Sequence, residues 1–461
     1  PRSALFTPFT RLGLIVMDEF HDDSYYQTES EPYYSACDAA VTYARLAGAV
    51  CLLGSATPDV VSASLARRGQ WLPLSLPARI LAHRDAIQAQ VERLGVDSHY
   101  HSLEGQAETI DLPPVQVVDM RRELQEGNRS IFSRALQAAL AKVLERQQQA
   151  ILFLNRRGSA TYVFCRECGE ALKCPKCDLP LSYHLEKYEV ISSEPPNFQL
   201  TCHHCGYQRQ MPKTCPNCGS RQIRHYGAGT EKVESEVRAL FPQARTLRWD
   251  AETTRRKGAH ELILSHFAAH RSDVLIGTQM IAKGLDLPLV TLVGAVLADV
   301  GLTLPDYRAS ERTFQVLTQV AGRAGRSPLG GQVLLQTFQP GHYAIQAASQ
   351  HDFTGFYQKE MEYRRRLGYP PFARLVRLEY RSTDRDEAER AALGLAVQVR
   401  AWLDADDRRA TQIIGPAPCF FARLAGQYRW QIILRGPNPA SLLRGRALNG
   451  WVIQVNPPNL L

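Results

Sequence analysis

No stretch of 18 or more apolar residues occurs in the 461-residue chain, so no segment reads as a membrane-spanning helix. Internal repeats and low-complexity tracts are missing too, which sets aside solenoid and fibrous architectures. Neither sign of charge dominates. The 54 Lys+Arg against 46 Asp+Glu leave +8, an excess that permits nucleic acid as a partner without demanding it. No G-x-x-x-x-G-K-[ST] phosphate loop is present, so these residues offer no glycine-rich cradle and lysine for nucleotide phosphates. The chain by itself is therefore expected to be inactive toward ATP. It starts at Pro1 rather than Met, inside an apolar-flanked motif, and is expected to be an N-terminally incomplete part of a longer protein.

What is present is enough for two to four domains, with 44% hydrophobic and 22% charged residues, the composition of a soluble globular protein. Eight of the eleven cysteines form four Cys-x-x-Cys pairs: Cys165/Cys168, Cys174/Cys177, Cys202/Cys205 and Cys215/Cys218. Such a turn points two sulfurs at one metal, and two turns complete a tetrahedral site, so two Zn²⁺ ions are expected. Disulfides belong to small secreted domains, and four close pairs are not a thioredoxin-like redox pattern. Spacing alone leaves open which pairs share an ion. His203 and His204 could compete as ligands but are expected to face solvent. Gly169, Gly206 and Gly219 follow three pairs, where positive φ is needed, and Asp178 follows the fourth. The middle of the segment, Glu186 to Leu200, reads as a hairpin or loop.

Around this segment the pattern is α/β. Apolar runs at Leu14–Met17, Val50–Leu53, Ile151–Leu154, Val274–Ile276, Leu292–Val293 and Val333–Leu335 fit strands buried on both faces of a parallel sheet. Helical patterns alternate with them. Ser130 is expected to cap a helix bearing Leu136, Leu140 and Val143, and Thr230 one bearing Val233 and Val237. Residues 80–112 read as a connection between two lobes.

Functional groups in parallel sheets collect beyond strand C-termini. Asp18-Glu19-Phe20-His21 lies at such a place. Asp18 can hold Mg²⁺ through water, Glu19 can orient an attacking water, and His21 can report nucleotide state to other motifs. Ser55 and Thr57, in Gly54-Ser55-Ala56-Thr57-Pro58, can bond the acidic motif or a DNA phosphate. Gln319, Arg323 and Arg326 share one helical face, from which the arginines could stabilise phosphoryl-transfer charge. Thr278 and Lys283 suit a nucleic-acid backbone, and Tyr25 and Tyr26 can stack on unpaired bases.

Taken in order, these motifs resemble superfamily 2 helicases, and the likeness to the PriA family is close. It rests on Arg2 to Phe6, Asp18 to Asp22, Gly54 to Pro58, Phe153-Leu154-Asn155-Arg156-Arg157-Gly158, the four knuckles, Gly227 to Glu231, Ile276 to Met280 and Gln319 to Arg326. The resemblance implies an α/β fold of RecA-like helicase lobes with an inserted two-zinc knuckle module and a small C-terminal α+β domain. It implies an ATP- and Mg²⁺-dependent 3′→5′ DNA helicase that recognises stalled or branched forks and promotes primosome assembly and replicative-helicase loading. Implied partners are branched and single-stranded DNA, single-stranded DNA-binding protein and primosome or helicase-loading proteins, without a membrane. The implied location is cytoplasmic and nucleoid-associated. In the family the outer knuckles share one ion, which here means Cys165, Cys168, Cys215 and Cys218. The inner ones, Cys174, Cys177, Cys202 and Cys205, share the other. Phe20 stands where the family usually has a second Glu, and Asn456 where it more often has Asp. A helicase-deficient scaffold that binds DNA and primosome partners is the alternative. The expected division is 1–112 for the end of lobe 1 and the interlobe connection, 113–164 and 221–350 for lobe 2, 165–220 for the zinc insertion and 351–461 for the C-terminal domain.

Overall fold

A computed structural model describes residues 2–28, 30–76, 80–83, 92, 101–102, 107–109, 112–155, 161–183, 199–226, 229–250, 253–254, 258–278, 281, 287–324 and 329–461. The expected loop between the knuckles falls almost wholly outside these residues, as do Lys283, Arg326 and most of the interlobe connection.

The first unit is small. Strands β1 (Leu14–Met17) and β2 (Val50–Leu53) pair in parallel, with helix α1 (Ala36–Ala47) between them in sequence and α2 (Val60–Arg67) following. Met17, Phe20, Ala36 and Ala40 make its core. Leu14, Val16 and Val50 are more than half exposed, because α1 covers one face of a two-stranded sheet and no described element covers the other.

The large unit is a six-stranded parallel sheet. Its strands are β3 (Val115–Asp119), β4 (Gln149–Leu154), then, beyond the cysteine-rich insertion, β10 (Thr246–Trp249), β11 (Val274–Gly277), β12 (Val290–Leu297) and β13 (Gln332–Thr337). The spatial order is β10-β11-β4-β12-β13-β3. Side chains alternate across it. Ala150, Leu152 and Leu154 face a core built with α3 (Arg134–Glu145) and α4 (Thr230–Leu240). Ile151 and Phe153 face the opposite core, with α5 (Ala259–Ala268), α6 (Ala309–Ala324) and α7 (Tyr343–Ser349). Burial on both faces explains the unbroken apolar runs.

Both expected caps are displaced. Helix α3 starts three residues later than Ser130, at Ser133, whose hydroxyl accepts from the Leu136 amide and whose amide is held by Gln336. Gly229 occupies the cap of α4, and the Thr230 hydroxyl instead donates to Asp250 at 2.6 Å.

The insertion leaves β4 and returns before α4. Its strands β5 (Thr161–Cys165), β6 (Ser182–Tyr183), β7 (Gln199–Thr201), β8 (Gln208–Gln210) and β9 (Ile223–Tyr226) form an antiparallel sheet. Its core consists of Val163, Leu172, Leu181, Leu200 and Ile223 with the cysteines themselves.

Helix α8 (Phe353–Leu367) belongs to the large unit rather than to the C-terminal one. Phe356 and Tyr357 pack into the core of the large unit, Phe356 stacking on Phe314 of α6 at 4.3 Å. The C-terminal unit has four antiparallel strands, β14 (Arg374–Ser382), β15 (Gln412–Leu424), β16 (Gln427–Gly436) and β17 (Trp451–Val455), covered by α9 (Arg385–Ala405). No helix among the described residues is long and apolar enough to cross a membrane.

Candidate metal centres and interlobe site

Each Cys-x-x-Cys turn closes in the same way. The amides of Gly169, Asp178, Gly206 and Gly219 donate to the carbonyls of Cys165, Cys174, Cys202 and Cys215 at 2.8–2.9 Å. All four residues have positive φ, 55° at Asp178 and 73–78° at the glycines, which brings the following amides round toward the sulfurs. The amides of Glu170, Tyr207 and Ser220 bond the sulfurs of Cys168, Cys205 and Cys218.

These turns gather the sulfurs into two groups: Cys165, Cys168, Cys215 and Cys218, and Cys174, Cys177, Cys202 and Cys205. Within each group the Sγ atoms lie within 4.8 Å of one another. The pairs Cys165–Cys218, Cys168–Cys215 and Cys174–Cys205 are 3.6–3.7 Å apart. A tetrahedral ion with bonds of about 2.3 Å to sulfur separates its ligands by about 3.8 Å, so both groups fit a metal of the Zn²⁺ type.

The two groups are anchored differently. The outer one rests on the large unit. Gly169 approaches the end of β13 so closely that a Cβ would lie 1.9 Å from the Phe338 carbonyl oxygen, and Arg121 donates to the Cys168 carbonyl. The inner one rests on the C-terminal unit. His203 and His204, expected in solvent, are both buried. His203 Nδ1 lies 3.0 Å from the Pro418 carbonyl, and its own carbonyl accepts from Gln431. His204 Nδ1 lies 3.3 Å from the Cys177 sulfur, and its Nε2 is 3.5 Å from the Tyr369 hydroxyl. Burial and the nearby Arg435 lower the His204 pKa to about 4, so a neutral ring donates its Nδ1–H to the thiolate.

The second site lies where α6 meets the first unit. Asp18 is exposed at the end of β1, and Glu19 follows with φ of 47°. Tyr25 donates to the Asp18 carbonyl at 2.8 Å. The His21 ring spans the gap between units. Its Nε2 accepts from Gln319 Nε2 at 2.9 Å, which leaves the proton on Nδ1, 2.7 Å from Ser55 Oγ. Gln319 also donates to Glu19 at 3.3 Å. Burial lowers the His21 pKa against the pull of Glu19, Asp22, Asp59 and Glu311, keeping the ring neutral and able to accept.

Thr57 is buried. Its carbonyl accepts from Gln315 of α6, and its hydroxyl has no partner among the described residues. Tyr26 is partly buried beside Arg308. Arg323 is buried on the same helix as Gln319, while Thr278 is partly exposed at the end of β11.

A buried ion network went unanticipated. Arg364 of α8 binds Glu311 at 2.5 Å and Glu360 at 2.7 Å, and Tyr343 donates to Glu360. Glu311 also accepts from Arg308 and from the Val60 amide at the start of α2. Burial pushes its carboxyl up, but Arg364 and Arg308 outweigh this and hold its pKa at about 2. Only the run Arg364-Arg365-Arg366 hinted at this in the sequence.

Residues 229–328 match the helicase conserved C-terminal domain, and residues 365–457 the primosomal protein N C-terminal domain. The replication restart protein PriA of Synechocystis sp. is 44% identical over 437 residues, covering 95% of this chain and 49% of that protein. That of Bacillus subtilis is 42% identical over 434 residues, covering 94% and 49%. The chain therefore spans about half the length of these relatives. A solved structure of RecG bound to a three-way DNA junction covers 78% of this chain and 34% of its own, at 14% identity and a TM-score of 0.32.

Proposed function

The chain belongs to the PriA replication-restart family, and on that premise we propose that the protein recognises stalled or branched DNA forks, remodels them as an ATP-dependent 3′→5′ DNA helicase and promotes primosome assembly and replicative-helicase loading. The observation that carries the reading is the His21 bridge. Glu19 and His21, at a strand end of one lobe, are hydrogen-bonded through Gln319 to the helix that brings Arg323 from the other. A change at the acidic motif is thereby felt across the cleft between lobes.

In this reading Asp18 and Glu19 would hold Mg²⁺ and orient the attacking water, Gln319 and His21 would sense their state, and Arg323 and Arg326 are assigned to the phosphates. Mg²⁺-ATP would supply the phosphoryl group there and neutralise developing charge. Ser55, Thr278, Lys283 and Tyr25 are assigned to the DNA path. Two Zn²⁺ ions held by the eight cysteines supply folding free energy that the small core of the insertion lacks, roughly 10 kcal/mol or more per site. The unit divisions read from the sequence are retained, except that α8 is assigned to the motor. Single-stranded DNA-binding protein and primosome or helicase-loading proteins are the partners, in a cytoplasmic, nucleoid-associated setting.

A second reading, a scaffold without ATP turnover, draws on Phe20, whose ring is packed in the core of the first lobe where a carboxylate usually stands in the family. ATP hydrolysis by the complete, zinc-loaded protein, with and without a forked DNA, separates the two. Fork-stimulated turnover is the expected result. Absent turnover, with fork binding and zinc retained, overturns the motor and leaves the scaffold.

A further inference from the structure

Helix α6 and the turn before it touch the first lobe well beyond the His21 bridge. Gln319 meets Glu19 and His21, Gln315 meets the Thr57 carbonyl, and Glu311 meets the Val60 amide. Arg312 and Arg308 meet Asp23, two residues past His21. The spacing of three and four places these residues in one stripe along the helix. Arg312 lies about 10 Å along the axis from Gln319. The arginine end of the stripe is therefore separate from the end that faces the acidic motif.

Arg312 is held from both sides. Its Nη1 binds Asp306 at 2.9 Å, and its Nη2 donates to the Pro458 carbonyl at 2.6 Å and pairs with Asp23 at 3.1 Å. Arg308 donates to the same Pro458 carbonyl at 3.1 Å and lies 3.8 Å from Asp23. Asp306 and Pro458 lie outside the first lobe, so both guanidinium groups have partners that do not depend on it. Asp23 meets a preorganised pair of cations, and little side-chain order is lost when it docks. Its side chain is 23% exposed, against 1% for Glu311 and Arg364, so water can take over its carboxylate when the lobes part.

We propose that Asp23, Arg308 and Arg312, braced by the Pro458 carbonyl, form an interlobe latch that sets how far the motor is closed before nucleotide arrives. The proposal rests on reading the chain as part of a two-lobed motor. The latch biases a two-state equilibrium: closure favoured by the ion pair raises the fraction of molecules competent for nucleotide. It acts by position and touches no reacting atom.

The test uses the complete zinc-loaded protein carrying donor and acceptor fluorophores at Leu46 and Leu262 through unnatural amino acids. Both residues are largely exposed, one on each lobe. Without nucleotide, Asp23→Asn should lengthen the distance distribution, Asp23→Arg should lengthen it further, and Asp23→Glu should keep it. Salt should shift the wild type toward Asp23→Asn, because a partly exposed pair is screened. The KM for ATP should rise about three- to fivefold in Asp23→Asn at unchanged kcat. Unchanged thermal midpoints across the series exclude a general loss of fold. Unshifted distances in Asp23→Asn and Asp23→Arg overturn the latch, whatever the turnover. Shifted distances with no turnover in any form, wild type included, leave the latch standing and reject the motor.

Discussion

Replacing Gly169 with alanine should harm the protein more than the same change at Gly219, although both glycines close equivalent turns. Their φ values are 78° and 73°, so the left-handed penalty for alanine is nearly the same, about 1–2 kcal/mol. At Gly219 an added Cβ meets nothing within 4 Å. At Gly169 it would lie 1.9 Å from the Phe338 oxygen and 2.9 Å from its carbon, both backbone atoms that no rotamer change can move. The outer knuckle must then lift from β13, adding about 1–3 kcal/mol of overpacking and loosening the Arg121 bond to Cys168. Gly206 is intermediate, with Pro416 oxygen 3.3 Å away. Thermal unfolding should therefore rank Gly169→Ala as the most damaging, then Gly206→Ala, then Gly219→Ala. All three keep eight cysteines and should keep two zinc ions by native mass spectrometry. Equal midpoints for Gly169→Ala and Gly219→Ala would refute the docking of the outer knuckle on the six-stranded sheet.

Arg364→Ala leaves Glu360 buried without its cation and Glu311 with Arg308 alone, and should cost about 3–5 kcal/mol in denaturant unfolding. Glu311 is held at about 2 in the folded protein against an ordinary 4.5, so its stabilising contribution is present above pH 4.5 and lost as pH falls toward 2. Acid unfolding of wild type and Glu311→Gln should differ in that window. His204→Ala removes the N–H donor to Cys177 and should speed zinc release from the inner group by roughly 10-fold, as read with a chromogenic chelator, while the outer group keeps its rate. Because the His21 pKa lies below the ordinary 6.5, protonation that breaks its acceptance from Gln319 should appear only below that value. An acid limb of ATP turnover centred above pH 6.5 would contradict this.

The strands of the parallel sheet were legible because burial on both faces demands unbroken apolar runs, and Ile151–Leu154 lies at the centre of that sheet. Leu14–Met17 and Val50–Leu53 form the parallel pair that the same rule anticipates, with one face covered by α1 among the described residues. Caps were harder. Ser130 and Ser133 are both good capping residues, and the choice is made by Gln336, some 200 positions away in sequence. Polar histidines between cysteines look solvent-facing until the C-terminal unit closes over them. The ion network joins residues whose charges each suggest a surface, since Arg364 meets Glu311 only through the packing of α8 on α6. Asn456 has φ of 49°, a conformation that Asn and Asp tolerate best among non-glycine residues.

Whether the acidic motif and α6 work as one motor is tested most directly by single-turnover unwinding of a forked DNA by the complete protein, comparing wild type with Gln319→Ala. That change removes both bonds of Gln319 to the first lobe and leaves the cysteine groups and the Asp23 contact in place. ATP-dependent strand separation by the wild type, reduced at least 10-fold in Gln319→Ala at equal fork binding, is the predicted result. Equal unwinding by both proteins, or none by either with ATP bound, would contradict it.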